Sequence, residues 1–463
     1  MNRAATPLNF QRALIEKYSV AGPRYTSYPT AVQFSEGFGA DSYRQLWTGV
    51  EKSTAALSLY VHIPFCENIC YYCACNKVVT RQKHKARQYL DYLEKEIRLQ
   101  SALIGKNRPV TQLHWGGGTP TFLSAAELTE LMYHIASHFN LLDDPQREYS
   151  IEVDPRTVDK NILALLKGIG FNRLSFGVQD FDERVQEAVN RVQPFEQIEA
   201  LNTAARDLGF SSISIDLIYG LPHQTPESLR HTLEQALALK PDRIAFYNYA
   251  HMPHLFSSQR SIDRLTLPTP SEKLALLELA NAVLGTTGYL HIGMDHFVRA
   301  EDGLAQAQLR GTLQRNFQGY STCMAADLVG LGVSAISSTA HGYAQNAKNL
   351  TEYYGLIDAD KLPVTRGLCL SRDDKIRRAA IMQMICNLSL DTSALEKQYG
   401  ICFADYFERE LAELERLAGD GLVSIEPSRL IVTSTGRFLL RNICMVFDRY
   451  LPPLLQRSFS KAI

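Results

Sequence analysis

Four of the chain's nine cysteines fall within ten residues, in Tyr60-Val-His-Ile-Pro-Phe-Cys66-Glu-Asn-Ile-Cys70-Tyr-Tyr-Cys73-Ala-Cys75-Asn76. A thiolate is a soft metal ligand and a good nucleophile, so such crowding points to metal binding or redox work. Structural zinc usually takes its ligands as two separated pairs, and no second pair follows here. A thioredoxin-like reading of Cys70-Tyr-Tyr-Cys73 needs the start of a helix in a small βαβ domain, which this context does not provide. The other five cysteines, Cys323, Cys369, Cys386, Cys402 and Cys444, are scattered and read as small buried hydrophobes.

Something must hold that loop and bring partners to it. Between about residues 55 and 250, short β-branched or aromatic runs alternate with longer helical patterns. The strand candidates are 57–63, 112–115, 149–153, 173–178, 212–218 and 243–249. The helices between them are 85–103, 125–139, 158–168, 195–208 and 225–239. Strand and helix in regular succession imply a parallel sheet covered by helices. Polar and glycine residues gather where successive strands end: Cys66, Gly116–Thr119, Glu152 and Asp154, Gln179 and Asp180, Asp216, and Asn248. That is where a (β/α) barrel places its active site, so the expected fold is α/β, a partial (β/α)6 TIM-like barrel.

The expected organisation has four parts. Residues 1–50 form an N-terminal arm with helices over the barrel mouth. Residues 51–300 form the barrel, with the cysteine loop at 66–75. The Gly-rich stretch 301–363 supplies barrel-edge elements. Residues 364–463 form a mostly helical C-terminal domain or lid. In this last part, helices at 374–386, 392–398 and 404–418 precede a hairpin at 421–433 and a final helix from Thr435, an order that is winged-helix-like.

Composition narrows the function. Hydrophobic residues make up 45% and charged residues 21% of 463 residues, an ordinary globular balance. The net charge of −1 supplies no field for nucleic acid or an anionic membrane. Residues 371–463 carry 13 Lys and Arg against 12 Asp and Glu, a poor match to a DNA-reading module. No apolar run approaches a membrane span, and the first ten residues lack the apolar core of a secretory signal. The expected location is cytoplasmic, with no membrane and no nucleic acid among the partners and a monomer as the default.

The C-x3-C-x2-C spacing of Cys66, Cys70 and Cys73 resembles the radical S-adenosylmethionine (SAM) signature. Three thiolates on a [4Fe–4S] cluster leave one iron open for the amino and carboxylate groups of SAM. Cys75, two residues beyond on a strained path back, is then not a ligand. Further segments extend the likeness: Gly22-Pro-Arg-Tyr-Thr-Ser-Tyr-Pro-Thr30, His114-Trp-Gly-Gly-Gly-Thr-Pro120, Ser150-Ile-Glu-Val-Asp-Pro155 and Gly177-Val-Gln-Asp180. So do Asp216-Leu-Ile-Tyr-Gly-Leu-Pro222, Asn248-Tyr-Ala-His251, Gly293-Met-Asp-His296, Asn316-Phe-Gln-Gly-Tyr320, Gly332-Val-Ser-Ala-Ile-Ser337, Arg372-Asp-Asp374 and Arg441-Asn-Ile-Cys444. Spanning nearly the whole chain, they resemble the oxygen-independent coproporphyrinogen III oxidases (dehydrogenases), radical SAM enzymes of heme biosynthesis.

The resemblance implies a metal site of Cys66, Cys70 and Cys73 and two SAM molecules. The first would touch Tyr60, Gly117, Glu152 and Ile336. The second would touch Tyr72, Gly118, Thr119, Gln179, Arg191, Asp216 and Ala250. It further implies oxidative decarboxylation of two propionates of coproporphyrinogen III to vinyl groups, fed by a reducing electron-donor protein. Four substrate carboxylates call for cations, for which Arg24, with Tyr25 beside it, is the candidate. The alternative is a heme-chaperone-like radical SAM protein; Cys75, the arm and the complete second SAM set argue against it.

Overall fold

A computed structural model describes residues 8–48, 54–322 and 327–451. Cys323, the expected boundary at 50/51 and the last twelve residues lie outside the described residues. Six strands form in the expected places: β1 Leu57–Ile63, β2 Pro109–Gly117, β3 Glu148–Val153, β4 Arg173–Gln179, β5 Ser212–Tyr219 and β6 Arg243–Asn248. They pair in that order, all parallel. Helices His84–Ile104, Ala125–His138, Lys160–Gly168, Phe195–Asp207 and Pro226–Ala238 alternate with them. Helix starts follow local chemistry: Ser124 with Glu127 and Thr225 with Ser228 close capping boxes that satisfy the first free N–H groups.

Strand periodicity sorts the side chains. Along β4, Leu174, Phe176 and Val178 are buried, while Ser175, Gly177 and Gln179 are half-buried. The first set enters the core beneath the helices, and the second faces the barrel's interior. Ser150 and Glu152 on β3 and Asp216 on β5 share that half-buried state. The interior is thus a polar-lined space rather than a stack of apolar layers.

The sheet continues past both ends of the barrel. Beyond β6 it takes the hairpin β7 Tyr289–Gly293 and β8 His296–Arg299. Beside β1 it takes β9 Asp327–Leu331, β10 Ile336–Ser338, β11 Gly342–Asn346 and β12 Val364–Cys369. The stretch read as barrel edge therefore supplies strands, and β9 is parallel to β1. Glycine concealed β9 in the sequence. A Cβ on Gly330 would stand 2.6 Å from the Ile336 carbonyl oxygen, so this glycine permits close strand approach rather than marking a loop. Strand β12 lies inside the range expected to form the C-terminal domain.

That domain starts with helix Arg372–Asn387 and contains a three-stranded sheet of Ser389–Asp391, Val423–Glu426 and Arg429–Val432, a winged-helix-like order. The helix expected over 404–418 is broken into Phe403–Tyr406 and Glu408–Gly419 at Phe407. Phe407 is fully buried against Phe403 and Phe447, so packing overrides helical continuity there. The expected final helix begins as a 3-10 turn over Gly436–Leu439 before Leu440–Met445. Cys386 and Cys444 are buried as expected, but Cys369 and Cys402 are exposed. One ends an edge strand and the other caps a helix, positions that face outward.

The N-terminal arm is docked. Tyr25 and Tyr28 are almost wholly buried. Arg441 donates to the Gly22 and Pro23 carbonyls, and the Tyr343 hydroxyl donates to the Tyr28 carbonyl at 3.0 Å. Arg24 reaches the carbonyl of Asn248, at the C-terminal end of β6, so the arm crosses the barrel mouth.

Candidate active site

The cysteine loop leaves the top of β1 through a short parallel pairing of Phe65–Cys66 with Val78–Val79. Neighbouring loops pin it throughout. Asn190 donates to the Ile69 carbonyl at 2.7 Å, Gln259 to the Tyr72 carbonyl at 3.1 Å, and Ser258 to the Cys73 carbonyl at 3.0 Å. The Tyr71 N–H donates to the Val189 carbonyl at 3.0 Å. Preorganisation of this kind fixes where each sulfur stands before any metal arrives.

Each of the three expected ligands has a donor beside it. The Thr119 hydroxyl is 3.4 Å from Cys66 Sγ. Arg191 and Arg156 bring guanidinium N–H groups to 3.6 and 3.7 Å from Cys70 Sγ. Cys73 is held down to about 6, first by a hydrogen bond from the Cys75 thiol and then by the Lys77 charge, against the opposing effect of burial. Burial pushes Cys66 up to about 11, so a metal must displace its proton. Among the described residues no three His, Cys, Asp or Glu groups converge around a single ion. A [4Fe–4S] cluster binds each thiolate through a different iron and does not require that convergence. Three free thiols on one pinned loop, each with a donor beside it, fit such a cluster.

Asp154 anchors the two arginines. It pairs with Arg191 at 2.7 Å and with Arg156 at 2.8 Å, and it also accepts the Arg156 N–H as a turn cap. Burial alone would raise its carboxyl. The Arg191 and Arg156 charges outweigh burial and hold it below the usual range. The sequence placed Asp154 among the polar residues at the strand ends without a partner and gave no role to Arg156. The signal was Asp154-Pro155-Arg156 itself, since a turn at a strand end brings a cap and a following arginine together.

The Gly116–Gly118 run closes over this level. The Gly117 N–H donates to Glu152 Oε2 at 3.1 Å. A Cβ on Gly118 would meet the Pro64 backbone at 2.7 Å, and one on Gly117, whose φ is +112°, would strike the His62 ring. Close approach, rather than turn preference, demands these glycines. Glu152 also meets His114 Nε2 at 3.2 Å, while His114 Nδ1 lies 2.6 Å from the Ser150 hydroxyl. Burial pulls the Glu152 carboxyl up, and the His114 and Gly117 hydrogen bonds overcome it and leave the carboxyl below its usual range. The Tyr60 ring stacks on His114, and its hydroxyl donates to His62 Nδ1 at 3.0 Å. His62 Nε2 therefore carries the proton and donates to the Asn76 carbonyl at 2.9 Å. Burial lowers the His62 pKa, keeping it neutral. His114, two residues before Gly116 on the same strand face, went unassigned in the sequence, although alternation from Gly116 would have found it.

The other expected residues stand on adjoining strand ends. Gln179 adopts φ +72° where the β4–β5 register shifts, and this bulge re-aims the strand end. Asp216, bonded to the Ser175 hydroxyl at 3.1 Å, is raised to about 7 by burial and by the Glu152 charge. Ala250 follows β6, Ile336 opens β10 beside Gly330, and Tyr72 lies between Cys70 and Cys73 on the pinned loop. Arg24 forms an ion pair with Asp295 at 3.2 Å, and the Tyr25 hydroxyl donates to Asp448 at 2.8 Å, so both have protein partners.

Residues 60–236 match the Radical SAM superfamily, and residues 370–439 match the HemN C-terminal domain. The chain is 52% identical over 457 residues to the oxygen-independent coproporphyrinogen III oxidase of Escherichia coli, covering 98% of this chain and 99% of that one. It is 50% identical over 450 residues to the enzyme of that name from Pseudomonas aeruginosa, covering 97% and 98%. A solved structure described as coproporphyrinogen III oxidase (HemN) from E. coli, a radical SAM enzyme, superposes with a TM-score of 0.91 at 49% identity, over 96% of this chain and 100% of that one.

Proposed function

Because this chain belongs to the oxygen-independent coproporphyrinogen III oxidases, we infer that each part of the site described above serves that reaction. The protein is a radical SAM oxidoreductase of heme biosynthesis that converts propionates of coproporphyrinogen III to vinyl groups without oxygen. A [4Fe–4S] cluster held by Cys66, Cys70 and Cys73 would, with SAM, supply the one-electron radical chemistry that removes a hydrogen atom from the propionate β-carbon. The propionate then loses carbon dioxide and one electron, and the electron passes to an acceptor.

The chain's own residues hold and orient. Cys66, Cys70 and Cys73 bind the cluster, and Arg156, Arg191 and Thr119 direct N–H and O–H groups at two of the sulfurs. In our assignment, Tyr60, Gly117, Glu152 and Ile336 hold one SAM, with Glu152 kept charged by His114 to accept from ribose or amino groups. Tyr72, Gly118, Thr119, Gln179, Arg191, Asp216 and Ala250 hold a second. The reading includes a protein electron donor, a monomeric enzyme and a cytoplasmic location; among the described residues no helix is long and apolar enough to cross a membrane.

The observation that carries the assignment is the pinned loop with three free thiols above a polar barrel interior. The test is anaerobic: reconstituted enzyme receives SAM, a reductant, coproporphyrinogen III and a crude extract as electron acceptor. Deoxyadenosine and the divinyl product should form together, vanish in Cys70→Ala and persist in Cys75→Ala. Deoxyadenosine without divinyl product would overturn the substrate.

A further inference from the structure

A second feature lies below the cluster level. A cavity of about 500 Å³ opens where the arm, the barrel and the C-terminal domain meet. Its inner wall includes Ser58 and Gln112, hydrogen-bonded to each other at 2.7 Å. Ser58 precedes Tyr60 by one pleat of β1, and Gln112 precedes His114 by one pleat of β2, which places this wall roughly 7 Å below the Tyr60–His114 layer. The cavity therefore runs from the underside of the assigned SAM level to helix Arg372–Asn387.

Its charge is one-sided. Arg315, Lys375, Arg378 and His341 line it, and no Asp or Glu does. The three certain cations pair with no carboxylate among the described residues. Arg378 donates to the Thr339 carbonyl at 3.1 Å and lies over the Tyr343 ring, and Lys375 stands 3.5 Å from His341 Nδ1. Arg315 lies over the Tyr320 ring, with its buried Nε and Nη1 lacking hydrogen-bond partners. Gathering like charges on one half-buried wall is unfavourable unless anions come to them. Between the charges, Phe317, Tyr343, Leu328 and Met382 supply apolar wall. An apolar wall with cations around it complements a flat, apolar body bearing carboxylates at its rim.

We propose that this cavity holds the tetrapyrrole, with Arg315, Lys375 and Arg378 gripping its non-reacting propionates so that the reacting one faces the Tyr60–Glu152 layer. The proposal rests on the function given above and adds the residues that recognise the substrate. It also gives the C-terminal domain a role, because two of the three cations sit on that domain's first helix. Arg24, already paired with Asp295, is left to hold the arm across the mouth.

The test uses full-length, cluster-loaded enzyme and two fluorescent probes, coproporphyrin III with four carboxylates and mesoporphyrin IX with two. Wild type should bind the tetracarboxylate more tightly. Lys375→Gln and Arg378→Gln should each weaken it about tenfold and reduce the preference over the dicarboxylate, with Arg378→Lys restoring part of it. KM for coproporphyrinogen III should rise in step while kcat changes little. SAM affinity and the cluster's spectroscopic signal should stay at wild-type values, and Lys375→Gln, which gives up only the contact to His341, is least able to disturb the fold. Unchanged KM and unchanged probe preference in variants of an enzyme that still makes divinyl product would overturn the cavity assignment alone. A wild type that makes no divinyl product would overturn the function beneath it.

Discussion

Removing the Asp154 carboxylate tests how the site controls the charge around Cys70. Asp154 and Arg191 are each only 8% exposed in their side chains and lie 2.7 Å apart, whereas Arg156 is 19% exposed. Asp154→Ala strands Arg191 in the protein beside a second guanidinium. Breaking one side of a buried pair costs about 3–5 kcal/mol, and the more exposed Arg156 adds less than ~1 kcal/mol. Unfolding of the metal-free protein in urea, followed through buried Trp47 and Trp115, measures the loss. Arg191→Met should also destabilise, and the double variant should lose less than the two singles together by ~1–3 kcal/mol. The pH dependence has a defined sign. Because the folded carboxyl sits below its usual range, its stabilising contribution is complete above the unfolded value and is lost as pH falls through the folded one. The advantage of wild type over Asp154→Asn should therefore shrink only in acid. Losses that simply add, or a loss under ~1 kcal/mol for Asp154→Ala, would refute the reasoning.

Three further outcomes follow from the same geometry. Glu152→Gln should weaken SAM binding by roughly ten- to a hundredfold in equilibrium dialysis with iron content intact, since a charged acceptor is lost. With its carboxyl held below the usual range, wild-type affinity should stay flat from neutral pH until the medium turns distinctly acid. Gly118→Ala must displace the Pro64 backbone and should cost ~1–3 kcal/mol and lower the iron retained after reconstitution, both measurable on one preparation. Tyr25→Phe removes the hydrogen bond to Asp448, and limited proteolysis should then cut the arm faster while the barrel resists.

The sequence alone was enough to place the six barrel strands, the helices between them and the loop that carries the three candidate ligand cysteines. These depend on local information: period-two alternation, capping residues and the spacing of thiols along one loop. The family resemblance extended that reading to the residues assigned to SAM. Only the tertiary structure decided which groups meet across elements. The Asp154–Arg191 pair spans 37 residues, Glu152 meets a histidine 38 residues earlier, and no local pattern encodes either. Strand β9 stayed hidden because its glycine serves a neighbouring strand rather than a turn. Phe407 interrupts a helix because the core of the C-terminal domain wants its ring. The cationic cavity was least legible of all, because nothing local in the sequence shows that the fold faces Arg315, Lys375 and Arg378 onto a common space without a carboxylate. Chemistry written within one segment can be read from that segment, whereas chemistry shared among strands, arm and lid exists only once their packing sets the distances.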